Sequence, residues 1–201
     1  MPEAVPTGSG PLTGRRVGVL METDYVEPEI AYYQRRFAEE GAEVVFLTRL
    51  WGQDRITFTG HEHRAPFTVD GDLEAVDDAA LRSYSALLVP SGMVSDRLRY
   101  PTDVHRLAPA VDLVRRAFAL PGLLKGFVCH GLWLVSAVPQ TVRGRALTCH
   151  PNLVGDVRNM GAHYVGGDVV VDHDLVTART VDHCHLFAKK LIQLMTERGP
   201  A

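Results

Sequence analysis

Residues 126–138 read GFVCHGLWLVSAV, and this stretch decides the fold. An apolar run typical of a buried strand leads directly into Cys129, His130 and Gly131, and a second apolar run with helical spacing follows. A strand that turns sharply into a helix is a nucleophile elbow, which presents one side chain at the carboxyl end of a sheet. We therefore predict that Cys129 is a nucleophile.

The alternative interpretation is that Cys129 is a small buried apolar residue and His130 a core histidine, because free cysteines are usually buried. The strand-turn-helix context favours the nucleophile. At such a turn, backbone amides and a helix N-terminus favour the thiolate, which is the reactive form of cysteine. His130 is then the candidate acid–base group, and Gly131 lets the backbone turn and a substrate approach closely.

Strand-like and helix-like segments alternate along the first part of the chain. Strand patterns cover residues 15–21, 42–48 and 85–90, and helical spacing covers residues 28–40 and 104–119. Alternation of this kind predicts a single-domain α/β sandwich, with a mostly parallel central sheet and helices on both faces.

The remaining segments add smaller features to this sheet. Residues 56–70 alternate in polarity and predict a small hairpin or an irregular excursion. After the elbow, the patterns predict a short helix near residues 152–160 and a hairpin that turns at His173-Asp174. A final helix is expected from about residue 182 to residue 197.

Composition limits the classes of protein that fit. A chain of 201 residues, 46% of them hydrophobic, has enough apolar surface for one substantial core. Residues 1–14 are rich in Pro, Gly, Ser and Thr and predict a flexible tail, so the single domain is expected over residues 15–198.

No signal peptide or membrane span is visible, which predicts a cytoplasmic protein. The net charge of -3 gives no broad electrostatic reason to bind nucleic acid or an anionic membrane, so the expected partners are small molecules or proteins.

The three cysteines cannot all pair within one chain, and each is treated as a free thiol. Cys149 and His150 repeat the dipeptide of the elbow, but Pro151 follows at once, so we predict a structural role for Cys149. Cys184 lies in a His-Cys-His run, yet adjacent helical residues do not share one face. We therefore predict no metal site, and nothing in the sequence indicates a cofactor.

Acidic residues crowd the loop and first helical turn after the first strand. They are Glu22, Asp24, Glu27 and Glu29. One interpretation is that they only complement the dipole of the helix. In a parallel sheet, however, this loop opens on the same edge as the elbow, which brings one carboxyl to face Cys129. A desolvated carboxyl stays protonated and donates a hydrogen bond to the thiolate.

Several motifs occur in order along the chain, namely RRVGVLM, the EPEI…EEGAEV run, ALLVPSGMVSDRLR, FVCHGLWLV and LTCHPNLVGDVRNMGAHYVGGDVVVDHDLVTAR. Together they resemble the ThiJ/PfpI family, within the class that shares the class I glutamine amidotransferase-like fold. The resemblance covers nearly the whole chain after residue 14 and implies a flavodoxin-like sandwich. It implies that Cys129 is the nucleophile and His130 its partner. The acidic residue that hydrogen-bonds the nucleophile falls on Glu29, with Glu27 as the fallback.

The same resemblance implies two further parts of the site. The turn PSGM corresponds to a Pro-Gly-Gly turn of the family, so the amides of Gly92 and Met93 are candidate oxyanion donors, while Ser91 departs from the pattern. In the PfpI-like branch, a carboxylate just after this turn reaches the histidine of a neighbouring subunit. Asp96 holds the matching position, one methylene shorter than the usual glutamate. This implies a Cys-His-Asp site completed in a homodimer or higher homo-oligomer.

The activity that the resemblance implies is cofactor-independent chemistry on a small electrophilic substrate. It includes glyoxalase-type conversion of 2-oxoaldehydes, removal of early glycation adducts, peptide hydrolysis and hydration of an isocyanide. In and beside the excursion, His61, His63 and Trp51 either wall the pocket or belong to an interface or cover. Two other classes of function stay open: a redox sensor that works through oxidation of Cys129, and a non-catalytic scaffold or chaperone.

Overall fold

The computed structural model describes residues 9–198. The regular elements, in chain order, are β1 (Arg16–Leu20), α1 (Glu27–Glu39), β2 (Glu43–Thr48), β3 (Ile56–Thr59), β4 (Pro66–Val69), β5 (Gly71–Asp72), α2 (Asp78–Arg82), β6 (Ala86–Val89), α3 (Val94–Leu98), α4 (Pro109–Phe118), β7 (Leu124–Val128), β8 (Ala146–Leu147), α5 (Val154–Asn159), β9 (His163–Tyr164), β10 (Val169–Asp172), β11 (Leu175–Ala178) and α6 (Cys184–Glu197). Short 3-10 helices connect several of them. No helix within residues 9–198 is long and apolar enough to cross a membrane.

The central sheet has seven strands in the order β10-β11-β7-β6-β1-β2-β5. All neighbouring pairs are parallel except β10 and β11, which form the predicted hairpin. His173, in the turn of that hairpin, has a φ of 52°. The prediction of an α/β fold with a mostly parallel central sheet is therefore confirmed.

Helices cover both faces of the sheet, and two adjacent residues of β7 show how. On one face, a Cβ at Gly126 would lie 2.6 Å from the Phe187 ring of α6, so this glycine lets α6 pack directly on the strand. On that side Phe187 also meets Tyr33 of α1, with ring centroids 6.0 Å apart. On the opposite face, Phe127 stacks on Phe118 of α4 at 6.2 Å. Successive strand residues point to opposite faces, so β7 is held from both sides.

The excursion between β2 and β5 is a hairpin, one of the two forms predicted. β3 and β4 pair antiparallel, from Ile56 opposite Val69 to Thr59 opposite Pro66. Phe67 packs against Phe46 of β2, with ring centroids 4.7 Å apart. The hairpin is therefore attached to the edge of the main sheet through its aromatic face.

Two helix predictions needed correction. The helix expected over residues 104–119 begins only at Pro109, after the Asp103 carboxylate accepts a hydrogen bond from the His105 amide in a local turn. The short helix α3 before it was not predicted.

After the elbow, Cys129–Ala137 forms a 3-10 helix instead of the expected α-helix. This segment contacts α3, α4, β6 and β7, so tertiary packing outweighs local helix propensity here.

The start of the folded region also differs from the prediction. Residues 1–8 of the predicted tail lie outside the described residues. Of the rest, Leu12 is fully buried, and its amide donates a hydrogen bond to the Glu40 carbonyl at 2.8 Å. A Cβ at Gly10 would lie 2.4 Å from the same carbonyl oxygen. The chain therefore packs against the end of α1 before it reaches Arg15. The apolar side chain of Leu12 is buried there, and Gly10 has no side chain to prevent close contact with the Glu40 carbonyl.

Candidate active site

The turn after β7 has the geometry of a nucleophile elbow. Val128 is extended, with φ -119° and ψ 132°, and Cys129 then takes a φ of 58°. A positive φ is uncommon for a residue with a side chain and marks a position that the surrounding structure holds in place. Gly131 completes the turn, because a Cβ there would lie 2.4 Å from the Val89 carbonyl oxygen and 2.8 Å from that of Pro90. The carboxyl ends of β6 and β7 can approach this closely only with glycine at 131.

The side chains of Cys129 and His130 contact each other. Sγ of Cys129 lies 3.2 Å from Nδ1 of His130. Cys129 is only 9% exposed, and His130 is half-buried. Burial, followed by the charge of His150, lowers the pKa of His130 below its ordinary 6.5. At neutral pH the imidazole is therefore uncharged, and Nδ1 is able to accept a proton from the thiol.

The ionisation of Cys129 differs from what the sequence predicted. Burial raises the pKa of the thiol to about 11, and this effect outweighs the backbone amides of His130 and Val181, which act in the opposite direction. The backbone amides do favour the thiolate, as predicted, but their effect on the pKa is smaller than that of burial. In the free protein the cysteine is therefore a neutral thiol at pH 7, and its activation requires a base.

Glu29 is the acidic residue of this loop and helix turn whose charge affects the thiol, although no hydrogen bond joins its carboxyl to Sγ of Cys129 within residues 9–198. Its side chain is fully buried in the first turn of α1, and it accepts hydrogen bonds from the Tyr33 hydroxyl at 2.8 Å and from the Ser91 amide at 3.0 Å. The Ser91 hydroxyl also donates to it. Burial outweighs these donors and raises the pKa of Glu29 to about 7. The charge of ionised Glu29 is among the effects that raise the pKa of Cys129.

Glu27 has a different role. Its carboxylate accepts hydrogen bonds from the backbone amides of Glu62 at 3.0 Å and His63 at 2.8 Å, in the loop that joins β3 to β4. These bonds help to lower the pKa of Glu27 to about 2, against the opposing effect of burial. Glu27 thus fixes the tip of the hairpin, while Glu29 faces the interior beneath the elbow.

The turn after β6 lies next to the loop that follows β1. Gly92 has a φ of 80°, and a Cβ there would lie 2.4 Å from the Asp24 carbonyl oxygen. The amide of Met93 donates to that same oxygen at 3.2 Å, so it is already engaged and is a weaker oxyanion candidate than the sequence suggested. Ser91, which departs from the family pattern, holds Glu29 through both its amide and its hydroxyl. The Ser91 hydroxyl therefore supplies a hydrogen bond that a glycine at this position cannot make.

Asp96 lies on the exposed side of α3. The helix is tied to the elbow, because the Ser95 hydroxyl donates to the His130 carbonyl at 2.7 Å. Within residues 9–198, no hydrogen bond or ion pair joins the Asp96 carboxylate to the His130 imidazole of the same chain. Asp96 is thus close to the site in the fold but directed to the surface.

The residues expected at the pocket wall lie on the surface. His63 has a side chain that is 74% exposed, and His61 is also exposed and donates its amide to the Tyr25 carbonyl. Trp51 is 48% exposed, with the Arg49 guanidinium 3.7 Å from its ring centroid. In the described part of the chain, no hydrogen bond or ring contact connects any of the three to Cys129 or His130.

One site residue was missed by the sequence analysis. The ring of His150 stacks on that of His130, with centroids 4.5 Å apart and 28° between the planes. Nδ1 of His150 accepts a hydrogen bond from the Asn152 amide at 3.3 Å. The repeated Cys-His dipeptide was the available signal, but nothing in the sequence shows that the two dipeptides meet.

The other two cysteines are free thiols. Cys149 is fully buried, and burial raises its pKa to about 12, as the predicted structural role requires. Cys184 is half-buried at the start of α6, and burial raises its pKa to about 11. Among residues 9–198, the structure contains no group of three or more His, Cys, Asp or Glu side chains placed to hold a metal ion.

Comparisons with known proteins identify relatives of similar length. "Protein/nucleic acid deglycase 2" of Escherichia coli (strain K12) is 29% identical over 182 residues, which are 90% of this chain and 98% of that protein. "Putative cysteine protease YraA" of Bacillus subtilis (strain 168) is 26% identical over 182 residues, with coverage of 90% and 98%. These names support a general type of enzyme without specifying the reaction.

Solved structures match the fold. A two-domain protein from Anabaena variabilis, with DJ-1/ThiJ/PfpI-like and ferritin-like domains, superimposes with a TM-score of 0.79 at 24% identity and covers 93% of this chain and 50% of that one. DJ-1 of Schizosaccharomyces pombe gives a TM-score of 0.74 at 16% identity and covers 89% of this chain and 90% of that one. The model of the DJ-1/PfpI family matches residues 15–194. The chain therefore belongs to the DJ-1/PfpI family.

Proposed function

We propose that this protein is a cofactor-independent cysteine enzyme that acts on a small electrophilic carbonyl compound. The observation that carries the proposal is the contact of 3.2 Å between Sγ of Cys129 and Nδ1 of His130, at an elbow where Cys129 has a φ of 58°. A nucleophile paired with a neutral base is the arrangement that acyl and carbonyl chemistry requires. Cys129 is the nucleophile and His130 the base.

The first step is addition of the thiol to the carbonyl carbon. As the carbon–sulfur bond forms, the thiol proton passes to Nδ1 of His130 and the π electron pair of the carbonyl moves to its oxygen. The resulting imidazolium returns the proton to that oxygen, which gives a neutral tetrahedral adduct. For a 2-oxoaldehyde, a hydrogen then moves from the adduct carbon to the neighbouring carbonyl carbon, which gives the thioester of a 2-hydroxy acid. Water hydrolyses this thioester, which releases the acid and restores the thiol. Because the free thiol has a pKa of about 11, the transfer to His130 is a necessary part of the step.

Glu29 promotes this step in its protonated form. With a pKa of about 7, a large share of the buried carboxyl is protonated at neutral pH. In the proposed reaction it donates a hydrogen bond to the developing thiolate, a bond that residues 9–198 do not form in the free protein. Ionised Glu29 has the opposite effect, because its charge raises the pKa of Cys129. The amide of Gly92 is the proposed donor to the oxygen of the adduct, and such a donor typically contributes about 3 kcal/mol.

Burial of the nucleophile favours a small substrate. Because Cys129 is 9% exposed, a small aldehyde or a small carbonyl adduct reaches it more readily than an extended peptide does. Relatives named deglycase from Escherichia coli and from Pyrococcus abyssi support glyoxalase- or deglycase-type chemistry, while the relative named putative cysteine protease supports hydrolysis. We place 2-oxoaldehydes and early glycation adducts first among the substrates.

Asp96 completes the site in this proposal from a second copy of the chain. Nδ1 of His130 faces Cys129, so the orienting partner must reach the other ring nitrogen. Asp96 is exposed and lies on α3, which is hydrogen-bonded to the elbow through Ser95. A two-fold axis close to α3 brings the Asp96 of each subunit to the His130 of the other.

The alternative of a redox sensor is less favoured. Oxidation by peroxide begins at the thiolate, and burial holds the pKa of Cys129 at about 11. A sensor also has no need for the adjacent neutral imidazole of His130. The buried, protonated thiol therefore favours base-assisted catalysis.

The proposal is tested by assaying wild type, Cys129→Ala and Cys184→Ala against methylglyoxal, a glycated thiol, a glycated amine, reporter peptides and an aryl isocyanide. We expect turnover on methylglyoxal or a glycation adduct that falls by on the order of 10³-fold or more in Cys129→Ala and persists in Cys184→Ala. Equal activity in all three proteins on every substrate would overturn the proposal. Circular dichroism checks that both variants are folded.

A further inference from the structure

A cavity lies at the amino ends of the strands, on the opposite edge of the sheet from Cys129. Its volume is about 550 Å³, within the range of small-molecule sites. Leu123, which lines it, precedes β7, whereas Cys129 follows β7. At about 3.3 Å per strand residue, about 20 Å separates the cavity from the thiol. The cavity therefore does not belong to the candidate active site.

Three arginines, from distant parts of the sequence, line this cavity: Arg15, Arg82 and Arg198. Arg15 precedes β1, Arg82 is the last residue of α2, and Arg198 follows α6. No acidic side chain lines the cavity, and within residues 9–198 none of the three guanidinium groups forms an ion pair with a carboxylate. The whole chain has a net charge of -3, so this local excess of positive charge does not follow from composition.

Two of the guanidinium groups are held in place by neutral acceptors. Arg15 donates to the Met195 carbonyl at 3.0 Å and to the Ser85 hydroxyl at 3.5 Å. Arg198 donates to the His173 carbonyl at 3.1 Å and to the Pro121 carbonyl at 3.3 Å. These bonds orient the donors, and no carboxylate within residues 9–198 compensates their charges. Like charges held close together repel, and an anion between them relieves that repulsion.

The rest of the lining is mainly apolar. Tyr84, Leu120, Pro121 and Leu123 supply an aromatic and aliphatic wall, and the Ser85 hydroxyl adds a polar group beside Arg15. A bare inorganic ion leaves this wall unused. A ligand with an anionic head group and an apolar body satisfies both parts of the lining.

We propose that this cavity, which we call the arginine cavity, binds a small organic anion with a phosphate or carboxylate head group on an apolar body. The three guanidinium groups bind the head group, and the accessible side chains of Leu120 and Pro121 contact the apolar body. The site is distinct from the cysteine site and does not depend on the reaction at Cys129.

The test uses the full chain and phenyl phosphate as the probe, with inorganic phosphate and benzyl alcohol for comparison. Binding is followed through the backbone amide shifts of Tyr84, Ser85 and Gly122 and by calorimetry. We expect saturable binding of phenyl phosphate, weaker binding of inorganic phosphate because it has no apolar body, and weaker binding of benzyl alcohol because it has no charge. Cys129→Ala should bind the probe as wild type does.

The variant Arg82→Gln removes one charge from an exposed side chain, so the fold is expected to survive. Affinity for phenyl phosphate should fall about tenfold, as for the loss of one charge-assisted hydrogen bond. The matched control is Arg35→Gln, which makes the same charge change at an exposed position of α1. At fixed salt concentration, its affinity for phenyl phosphate should stay within about twofold of wild type. The proposal is wrong if the probe does not saturate, if its shifts centre on Cys129, or if both variants weaken binding equally.

Discussion

The imidazole rings of His130 and His150 stack on each other, with centroids 4.5 Å apart. This contact joins two loops that follow different strands, since His130 comes after β7 and His150 after β8. The charge of His150 is one cause of the lowered pKa of His130, second to burial. His150 therefore contacts the base and adds to the lowering of its pKa, although it makes no contact with the thiol in the described structure.

Replacing His150 with Phe should raise the pKa of His130, because the aromatic contact is kept while the nearby charge is lost. The acid limb of the profile of kcat/KM against pH, which reports the free enzyme, should move to higher pH. His163→Phe, at an exposed position on β9, is the matched control and should leave the limb in place. The His130 titration is measured directly by NMR. An unchanged titration in His150→Phe would show that His150 does not set the protonation of the base.

Glu29→Gln should remove the alkaline limb of the same profile. In the wild type, Glu29 ionises with a pKa of about 7, and its negative charge then opposes formation of the thiolate on Cys129. Activity should therefore fall as the pH rises through 7. A glutamine stays neutral at every pH and is able to donate a hydrogen bond, so the decline should be absent in the variant. Glu39→Gln, exposed at the end of α1, should keep the wild-type profile.

The same substitution should change stability in a pH-dependent way. The pKa of Glu29 rises from 4.5 to about 7 on folding, so between these values the folded state binds more protons than the unfolded state. The free energy of unfolding of the wild type should therefore fall as the pH rises from 4.5 to 7 and then level off. Relative to pH 4, Glu29→Gln should gain roughly 3 kcal/mol over wild type at pH 8. Urea unfolding at the two pH values measures the difference.

Gly131→Ala should destabilise the elbow. The added Cβ would lie 2.4 Å from the Val89 carbonyl oxygen and 2.8 Å from that of Pro90, and both contacts are with backbone that has no room to move. We expect a loss of about 1 to 3 kcal/mol and a marked loss of activity. Gly155→Ala, in α5, meets nothing within 4 Å and should be neutral or stabilising by up to about 1 kcal/mol. Similar unfolding midpoints for the two variants would contradict the argument.

The sheet and the elbow were predictable from sequence because each depends on local patterns. Apolar runs locate buried strands, and Gly131 directly after Cys-His indicates a tight turn between β7 and the next segment. Local patterns do not decide between Glu27 and Glu29, although the family resemblance placed the acidic residue at Glu29. Residues two apart on a helix point in different directions, and only the packed structure shows which one faces inward.

The ionisation of the site was even harder to predict from the sequence. The pKa of Cys129 is a balance between burial and backbone amides, and the sequence gives the amides but not the depth of burial. The contact between His130 and His150 depends on how the segments after β7 and β8 pack, which no local pattern encodes. The start of α4 at Pro109 was obscured because the preceding residues have helical spacing but form a local turn.

A mixing experiment tests whether Asp96 acts across subunits. Asp96→Ala alone should lower kcat/KM by on the order of 10²- to 10⁴-fold, as expected for loss of the residue that orients a catalytic imidazole. Asp54→Ala, at an exposed position outside the site, should have no effect. When Asp96→Ala and Cys129→Ala are unfolded together and refolded in equal amounts, half of the dimers are mixed, and each mixed dimer has one intact site. Activity should therefore recover to about a quarter of wild type. If native mass spectrometry detects mixed dimers but activity stays at the level of the single variants, Asp96 does not act on the neighbouring His130.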